Sequence, residues 1–199
     1  IRIGLLGAGS VGSQVARLLI ENREELAKRV GAELQLVGIA VRNKSAKRDV
    51  ELPKDLLTED AESVILGSDI VIELAGGIEP AKSWISMALN AGADVITANK
   101  ALIAAHGSEL TALAQQFGAQ LYYEAAVGGA IPIIRPLRAS LAGDKINRVM
   151  GIVNGTTNYI LDQMETTGAS FDDALSEAQA LGYAEADPTA DGAGFDAAS

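Results

Sequence analysis

The sequence predicts an α/β protein built on a doubly wound parallel sheet, and three observations carry that prediction. An apolar run, Ile1-Arg2-Ile3-Gly4-Leu5-Leu6, leads directly into Gly7-Ala8-Gly9-Ser10-Val11-Gly12, a G-x-G-x-x-G turn set between a strand and a helix. Strand-like and helix-like segments then alternate along the first part of the chain, the pattern of a parallel sheet with crossover helices. Glycine occurs 21 times against five prolines, which suits tight strand–helix joints better than disorder.

Each element can be justified in order. The first helix is predicted over Val11 to about Arg29, from Val11, Val15, Leu18, Leu19, Leu26 and Val30 at helical spacing, with Gly31 as its stop. A second strand follows over 33–41. The third, Ser68 to Leu74, is a near-continuous apolar run of the kind buried on both faces. It ends in Ala75-Gly76-Gly77-Ile78-Glu79-Pro80, where Pro80 suits the first turn of a helix that stops at Gly92. Asp94 to Ala98 is the fourth strand. Ser108 is predicted to cap the next helix, closing at Gly118, and Gln120 to Glu124 is the fifth strand.

Past Ala126 the texture changes. A glycine-rich link, Val127 to Pro132, leads to a helical segment over Ile133 to Leu141 and a strand over Lys145 to Val153. Asn154 to Asn158 reads as a polar turn opening a helix over 159–165. Ser170 with Asp173 makes a capping-box start for a helix from Phe171 to Leu181, ended by Gly182. The expected organisation is a Rossmann-type nucleotide-binding domain over 1–126 and the first, incomplete part of an α+β substrate and dimerisation domain over 127–199.

Composition bounds the function. At 199 residues the chain can bury a substantial core. A net charge of −10 argues against a nucleic-acid or anionic-membrane partner, which asks for a basic face. No apolar run approaches the roughly 18 residues of a membrane span, and no signal peptide precedes the first strand, so a cytoplasmic location is expected. With no cysteine, disulfides, thiolate metal sites and thiol nucleophiles are excluded.

In the glycine motif the first glycine permits a tight turn, the second lets a pyrophosphate approach bare backbone, and the third allows close helix packing. Phosphate would sit on the N–H groups that open the helix. The turn Gly7, Ala8, Gly9, Ser10, Val11 and Gly12 is therefore the predicted cofactor site. At the end of the second strand, where NAD-binding proteins usually carry an acid, this chain has Arg42, then Lys44, Lys47 and Arg48. Those cations suit the 2′-phosphate of NADP, with NAD possible; the plainer reading is a solvated basic loop. At the carboxyl end of the fourth strand, Thr97 and Lys100 fall on the cofactor side, and Lys100 is the candidate catalytic cation. A lysine after a strand has an ordinary reading as a solvated side chain. His106 reads as a helix-start residue.

Five motifs together resemble the homoserine dehydrogenases: Gly7 to Gly12, Glu73 to Ala81, Thr97 to Ala104, Gly151 to Leu161 and Leu181 to Pro188. The resemblance covers essentially the whole chain. It implies NAD(P)-dependent interconversion of L-homoserine and L-aspartate 4-semialdehyde, on the route to threonine, isoleucine and methionine, by a homo-oligomer. It also implies that Glu185 and Asp196 hold the substrate, that Thr156 lines its pocket and that Gly182 approaches the nicotinamide. A sodium or similar cation is implied on Glu124 and the backbone oxygens of Val127, Gly129 and Ile131, a hard all-oxygen set. The family's second catalytic lysine would fall immediately after Ser199. The sequence is accordingly expected to be an N-terminal part, and inactive by itself. Two other classes are a non-catalytic NADP-binding module and another oxidoreductase of this fold. Of the latter, aspartate-semialdehyde dehydrogenase is removed by the missing cysteine nucleophile.

Overall fold

Ile3, Leu5 and Leu6 are buried in the central strand, and their alternation sends apolar side chains to both faces of a sheet. The computed structural model describes residues 1–48, 50–184, 192 and 194. Among these, six strands form one all-parallel sheet: β1 (Arg2–Leu6), β2 (Gln35–Ala40), β3 (Leu57–Thr58), β4 (Ile70–Glu73), β5 (Asp94–Thr97) and β6 (Leu121–Tyr122). Their spatial order is β3-β2-β1-β4-β5-β6. Strand order therefore reverses between β1 and β4, paired in register from Ile3 opposite Ile70 to Leu6 opposite Glu73. The carboxyl side of such a reversal is where ligands bind in open α/β sheets.

Helices cover both faces. Ile3, Leu5, Ile39 and Ile72 pack with Ala16 of α1 (Ser10–Glu21) on one side. On the other, Leu6, Val71, Val95 and Leu121 meet α3 (Ala61–Leu66), α4 (Ala81–Asn90) and α5 (Lys100–Phe117) through Ile65, Ile85, Leu89, Leu102 and Leu110. At the amino ends, Asp69 accepts from the Arg2 backbone N–H at 2.7 Å and pairs with its guanidinium at 2.6 Å. The hydrogen bond to that guanidinium pulls the Asp69 carboxyl down to about 2.

Several elements differ from expectation. The first helix breaks at Asn22 (φ −101°, ψ 19°), so α2 (Arg23–Val30) is separate. No residue of α2 is buried, so no packing keeps it in line with α1; Gly31, at φ +78°, is the stop. The segment between β2 and β4 holds β3 and α3, neither anticipated, and raises the strand count from five to six. Its signal was Asp60, whose carboxylate caps α3 by accepting from the Ser63 N–H at 3.0 Å.

Ser108 caps nothing. α5 begins at Lys100, with Asn99 as its cap accepting from the Leu102 N–H at 3.1 Å, and Ser108 lies mid-helix beside a tolerated Gly107. His106 is likewise inside α5, its Nδ1 3.2 Å from Glu109. The expected helix over 133–141 is largely a π-helical turn, Pro136–Ser140.

The chain folds into two compact units, Ile1–Ser140 and Leu141–Ser199. In the second, the expected strand over 145–153 forms no ladder among the described residues, and Val149, Met150, Ile152 and Val153 are exposed. A strand exists only with a neighbour to pair with, and the regular elements described in this unit are helices. These are α6 (Gly155–Thr167) and α7 (Phe171–Ala180). Asn154 caps α6 by accepting from the Thr157 N–H at 2.8 Å, so Thr156 belongs to the helix and not to a turn before it. The predicted capping box at Ser170 is present, accepting from the Asp173 N–H at 3.2 Å and donating to its carboxylate at 2.6 Å. Ile160, Ala174, Ala178 and Ala184 form the small core of this unit.

Candidate functional site

The site begins where β1 runs out. Gly7 donates its N–H to the Ala40 carbonyl at 2.9 Å and turns at φ +96°, a conformation that favours glycine. A Cβ there would lie 2.7 Å from both the Ala75 nitrogen and the Leu74 oxygen, so the turn after β1 sits directly against the one after β4. A Cβ on Gly12 would lie 2.1 Å from the Gly7 carbonyl oxygen, which is how closely α1 approaches the strand end. A Cβ on Gly9, by contrast, would meet nothing within 4 Å. Two glycines of the motif are thus required by the protein's own packing, and the middle one leaves open space over bare backbone. Ser10, Val11 and Gly12 open α1, where N–H groups have no intrahelical acceptor, and Ser10 and Val11 are exposed. This is the donor set and the clearance that a pyrophosphate needs.

Beside that turn lies a feature that sequence reasoning missed. Glu73, at the end of β4, is 0% exposed. One carboxylate oxygen accepts from the Ala75 and Gly76 N–H groups at 2.8 and 3.1 Å, and the other accepts from the Thr97 hydroxyl at 2.6 Å. Thr97 Oγ1 in turn accepts from the Asn99 N–H at 3.0 Å. Asn99 donates from its side-chain amide to the Gly77 carbonyl at 2.6 Å while its oxygen caps α5. Thr97, expected to touch the cofactor, is 0% exposed and fully engaged in this chain of bonds. Its hydroxyl ties the end of β4 to the turn that leads to Lys100. The available signal was an acid closing an apolar strand, within the Glu73-Leu74-Ala75-Gly76-Gly77 motif.

Lys100 is the first residue of α5 and is exposed, on the carboxyl edge of the sheet that also carries Gly7–Gly12 and Ala75–Gly77. Arg42 is exposed just past β2. The basic cluster after it is not uniform. The Arg48 guanidinium donates to the carbonyls of Asn43 at 2.8 Å, Ala46 at 3.0 Å and Lys44 at 3.3 Å, so it closes its own loop.

Glu124 opens a short 3-10 turn, Glu124–Ala126. Its two carboxylate oxygens accept from the Ile134 and Arg135 N–H groups at 2.9 and 2.7 Å, drawing the segment 124–135 into a loop that contains Val127, Gly129 and Ile131. Among the described residues no three His, Cys, Asp or Glu side chains gather as a metal site. A cation here would therefore be held by one carboxylate and backbone carbonyls. Each Glu124 oxygen retains lone-pair capacity beyond its N–H bond, so the donor set fits a hard cation.

In the second unit, Thr156 is buried and donates to the Tyr183 carbonyl at 2.7 Å, next to Gly182, which turns at φ +78°. Thr156 and Gly182 are thus brought together, and Thr156 anchors the turn. The Tyr159 and Tyr183 rings pack with centroids 5.1 Å apart, and desolvation, with Glu177 nearby, raises the Tyr159 hydroxyl pKa above its ordinary value. Glu185 and Asp196 lie outside the described residues.

A family model described as the NAD-binding domain of homoserine dehydrogenase matches residues 7–124, more than half of the chain. The chain belongs to the homoserine dehydrogenase family. A second family model, described as homoserine dehydrogenase, matches residues 132–199. The homoserine dehydrogenase of Corynebacterium glutamicum is 56% identical over all of this chain and 45% of its own length. That of Bacillus subtilis is 46% identical over all of this chain and 46% of its own length. The chain therefore spans slightly under half the length of these curated relatives. Among solved structures, a homoserine dehydrogenase from Thiobacillus denitrificans superposes with a TM-score of 0.77 at 45% identity, covering 99% of this chain and 46% of that one. A hyperthermophilic archaeal homoserine dehydrogenase in complex with NADPH superposes with a TM-score of 0.75 at 29% identity, covering 99% of this chain and 66% of that one. The expected fold class and family are both found. No described helix is long and apolar enough to cross a membrane.

Proposed function

We propose that the chain is the cofactor-binding part, with the beginning of the substrate-binding part, of an NAD(P)-dependent homoserine dehydrogenase that interconverts L-homoserine and L-aspartate 4-semialdehyde. The observation that carries this reading is the shared carboxyl edge: the clear backbone at Gly9 and the N-terminus of α1 lie on it, and so does Lys100 at the head of α5. When bound, the nicotinamide accepts or returns the hydride. The rest falls to the protein. Lys100 places positive charge where the alcohol oxygen gains negative charge as it loses its proton, the kind of electrostatic stabilisation that lowers such barriers. Thr156 shapes the turn that leads toward Glu185, which with Asp196 is assigned to hold the substrate; Gly182 is assigned to the nicotinamide side. Such an enzyme serves threonine, methionine and isoleucine biosynthesis in the cytoplasm as a homo-oligomer. Glu124 with the carbonyls of Val127, Gly129 and Ile131 is assigned to a sodium-like cation. The test is an assay of the full-length protein with L-homoserine and NADP, following absorbance of the reduced cofactor. Absence of homoserine-dependent reduction would overturn the reading.

NADP is the preferred cofactor in this proposal. Support comes from exposed Arg42 directly beyond β2 and from Arg48, which fixes the shape of the basic loop. Arg42→Asp is expected to weaken NADP by roughly tenfold or more, since a charge-assisted contact is worth about 1.5–3 kcal/mol. NAD affinity should change far less. Equal affinities for the two cofactors in the unaltered protein, by fluorescence titration, would contradict the preference.

A further inference from the structure

Glu73 is the only charged side chain among the described residues that is wholly buried. Each of its three contacts uses it as an acceptor: two backbone N–H groups of the turn after β4 and the hydroxyl of Thr97 at the end of β5. Burying a carboxylate is unfavourable unless such donors satisfy it. A residue needed only to fill the space between two strands would be apolar, as its neighbours Val71 and Ile72 are. What a carboxylate adds is a link between two loops that sit side by side at the mouth of the crevice.

The link continues in one direction. Thr97 is spoken for on both sides, donating to Glu73 and accepting from the Asn99 N–H, and Asn99 ties back to Gly77 while capping α5. The turn Ala75–Gly77 and the first turn of α5, which starts with Lys100, are therefore closed into one ring of hydrogen bonds with Glu73 at its root. From this ring we infer that Glu73 is a positioning residue: it fixes the start of α5, and with it Lys100, against the turn that follows β4. Its relevance to turnover rests on the homoserine dehydrogenase reading, whereas the coupling of the two loops does not.

Two measurements test this. The first needs no cofactor and no activity: amide hydrogen exchange of the full-length protein, comparing the unaltered form with Glu73→Gln and Thr97→Val. Gln keeps the size of Glu but turns an acceptor into a donor on one side of the ring; Val keeps the shape of Thr and removes its hydroxyl. In both variants, exchange at Asn99 to Leu102 should rise by roughly tenfold or more, because opening that was suppressed by the ring becomes local and easy. Exchange at Ala75 and Gly76 should rise with it, while the amides of α1 keep their unaltered rates. A rise confined to Ala75 and Gly76 in Glu73→Gln, with Asn99 to Leu102 unmoved, would overturn the inference.

The second measurement is kinetic. Misplacement by about 1 Å can lower turnover on the order of a hundredfold, so each variant should lose about tenfold or more in kcat while KM for homoserine and NADP stays within about threefold. Because both residues act through one ring, the double variant should lose no more than the larger single loss. Simple additivity, or a loss seen in KM alone, would count against positioning. If the unaltered protein shows no homoserine turnover, the proposed function fails on its own, and the exchange experiment still decides the role of Glu73.

Discussion

Replacing Lys100 with Ala in the full-length protein is expected to lower kcat for homoserine oxidation by roughly a hundred- to a thousandfold, the range seen when one preorganised stabilising group is removed. Cofactor affinity should change little. The proposed role of Lys100 is to meet charge that exists only as the reaction proceeds, and such a contribution shows in turnover rather than in ground-state binding. Lys100 is suited to this by position, since it is held at the head of α5 by the Asn99 cap yet remains exposed at the carboxyl edge of the sheet. Steady-state kinetics with a parallel NADPH titration provides the check. A variant with near-normal kcat would return Lys100 to the reading of a solvated surface lysine.

The second large effect is structural. Gly12→Ala would place a methyl carbon 2.1 Å from the Gly7 carbonyl oxygen, and both partners are backbone, so α1 must shift away from β1. Forced overpacking of this kind costs about 1–3 kcal/mol, and the lost alignment of α1 should abolish measurable cofactor binding. Gly9→Ala is the informative contrast. Its methyl group would meet no protein atom within 4 Å, so thermal stability should stay within about 0.5 kcal/mol of the unaltered protein while cofactor affinity falls. Thermal melts with and without NADPH separate the two cases. Equal destabilisation by both variants would show that the middle glycine is also held by the fold.

Much of the architecture was legible in the sequence because the parallel sheet announces itself twice, in apolar runs buried on both faces and in glycines at the joints. Gly7 and Gly12 could be assigned their jobs from spacing alone, since a G-x-G-x-x-G turn between strand and helix has few geometric solutions. What sequence reasoning missed has specific causes. β3 is two residues long, too short to carry a period. Ser108 suggested a helix start because serine favours the N-cap position, whereas α5 passes through it on the strength of Leu102, Leu110 and Ala114 in the core. The segment 145–153 has the composition of a strand, but composition cannot supply a partner. At the site, position along a strand indicated Thr97 as a cofactor contact; it could not indicate that the hydroxyl was already committed to Glu73. That pairing joins residues 24 apart in sequence and becomes visible only when β4 and β5 lie side by side.

The central place of β1 also bears on how the molecule comes to be. One edge of β1 is paired with β2, but the other is filled by β4, and Arg2 meets Asp69 across 67 residues of chain. Closing so long a loop must precede the contacts that reward it, which sets an entropic cost against this pairing that local helix formation does not carry. Until β4 arrives, β1 presents a bare, apolar edge, the kind of surface on which chains pair with one another by mistake. The Arg2–Asp69 clasp lies at the amino end of that same seam, where two opposite charges can draw the late strand into register before its apolar residues are buried. As the chain is synthesised, that edge stays open from the emergence of β1 until β4 is available to pair with it.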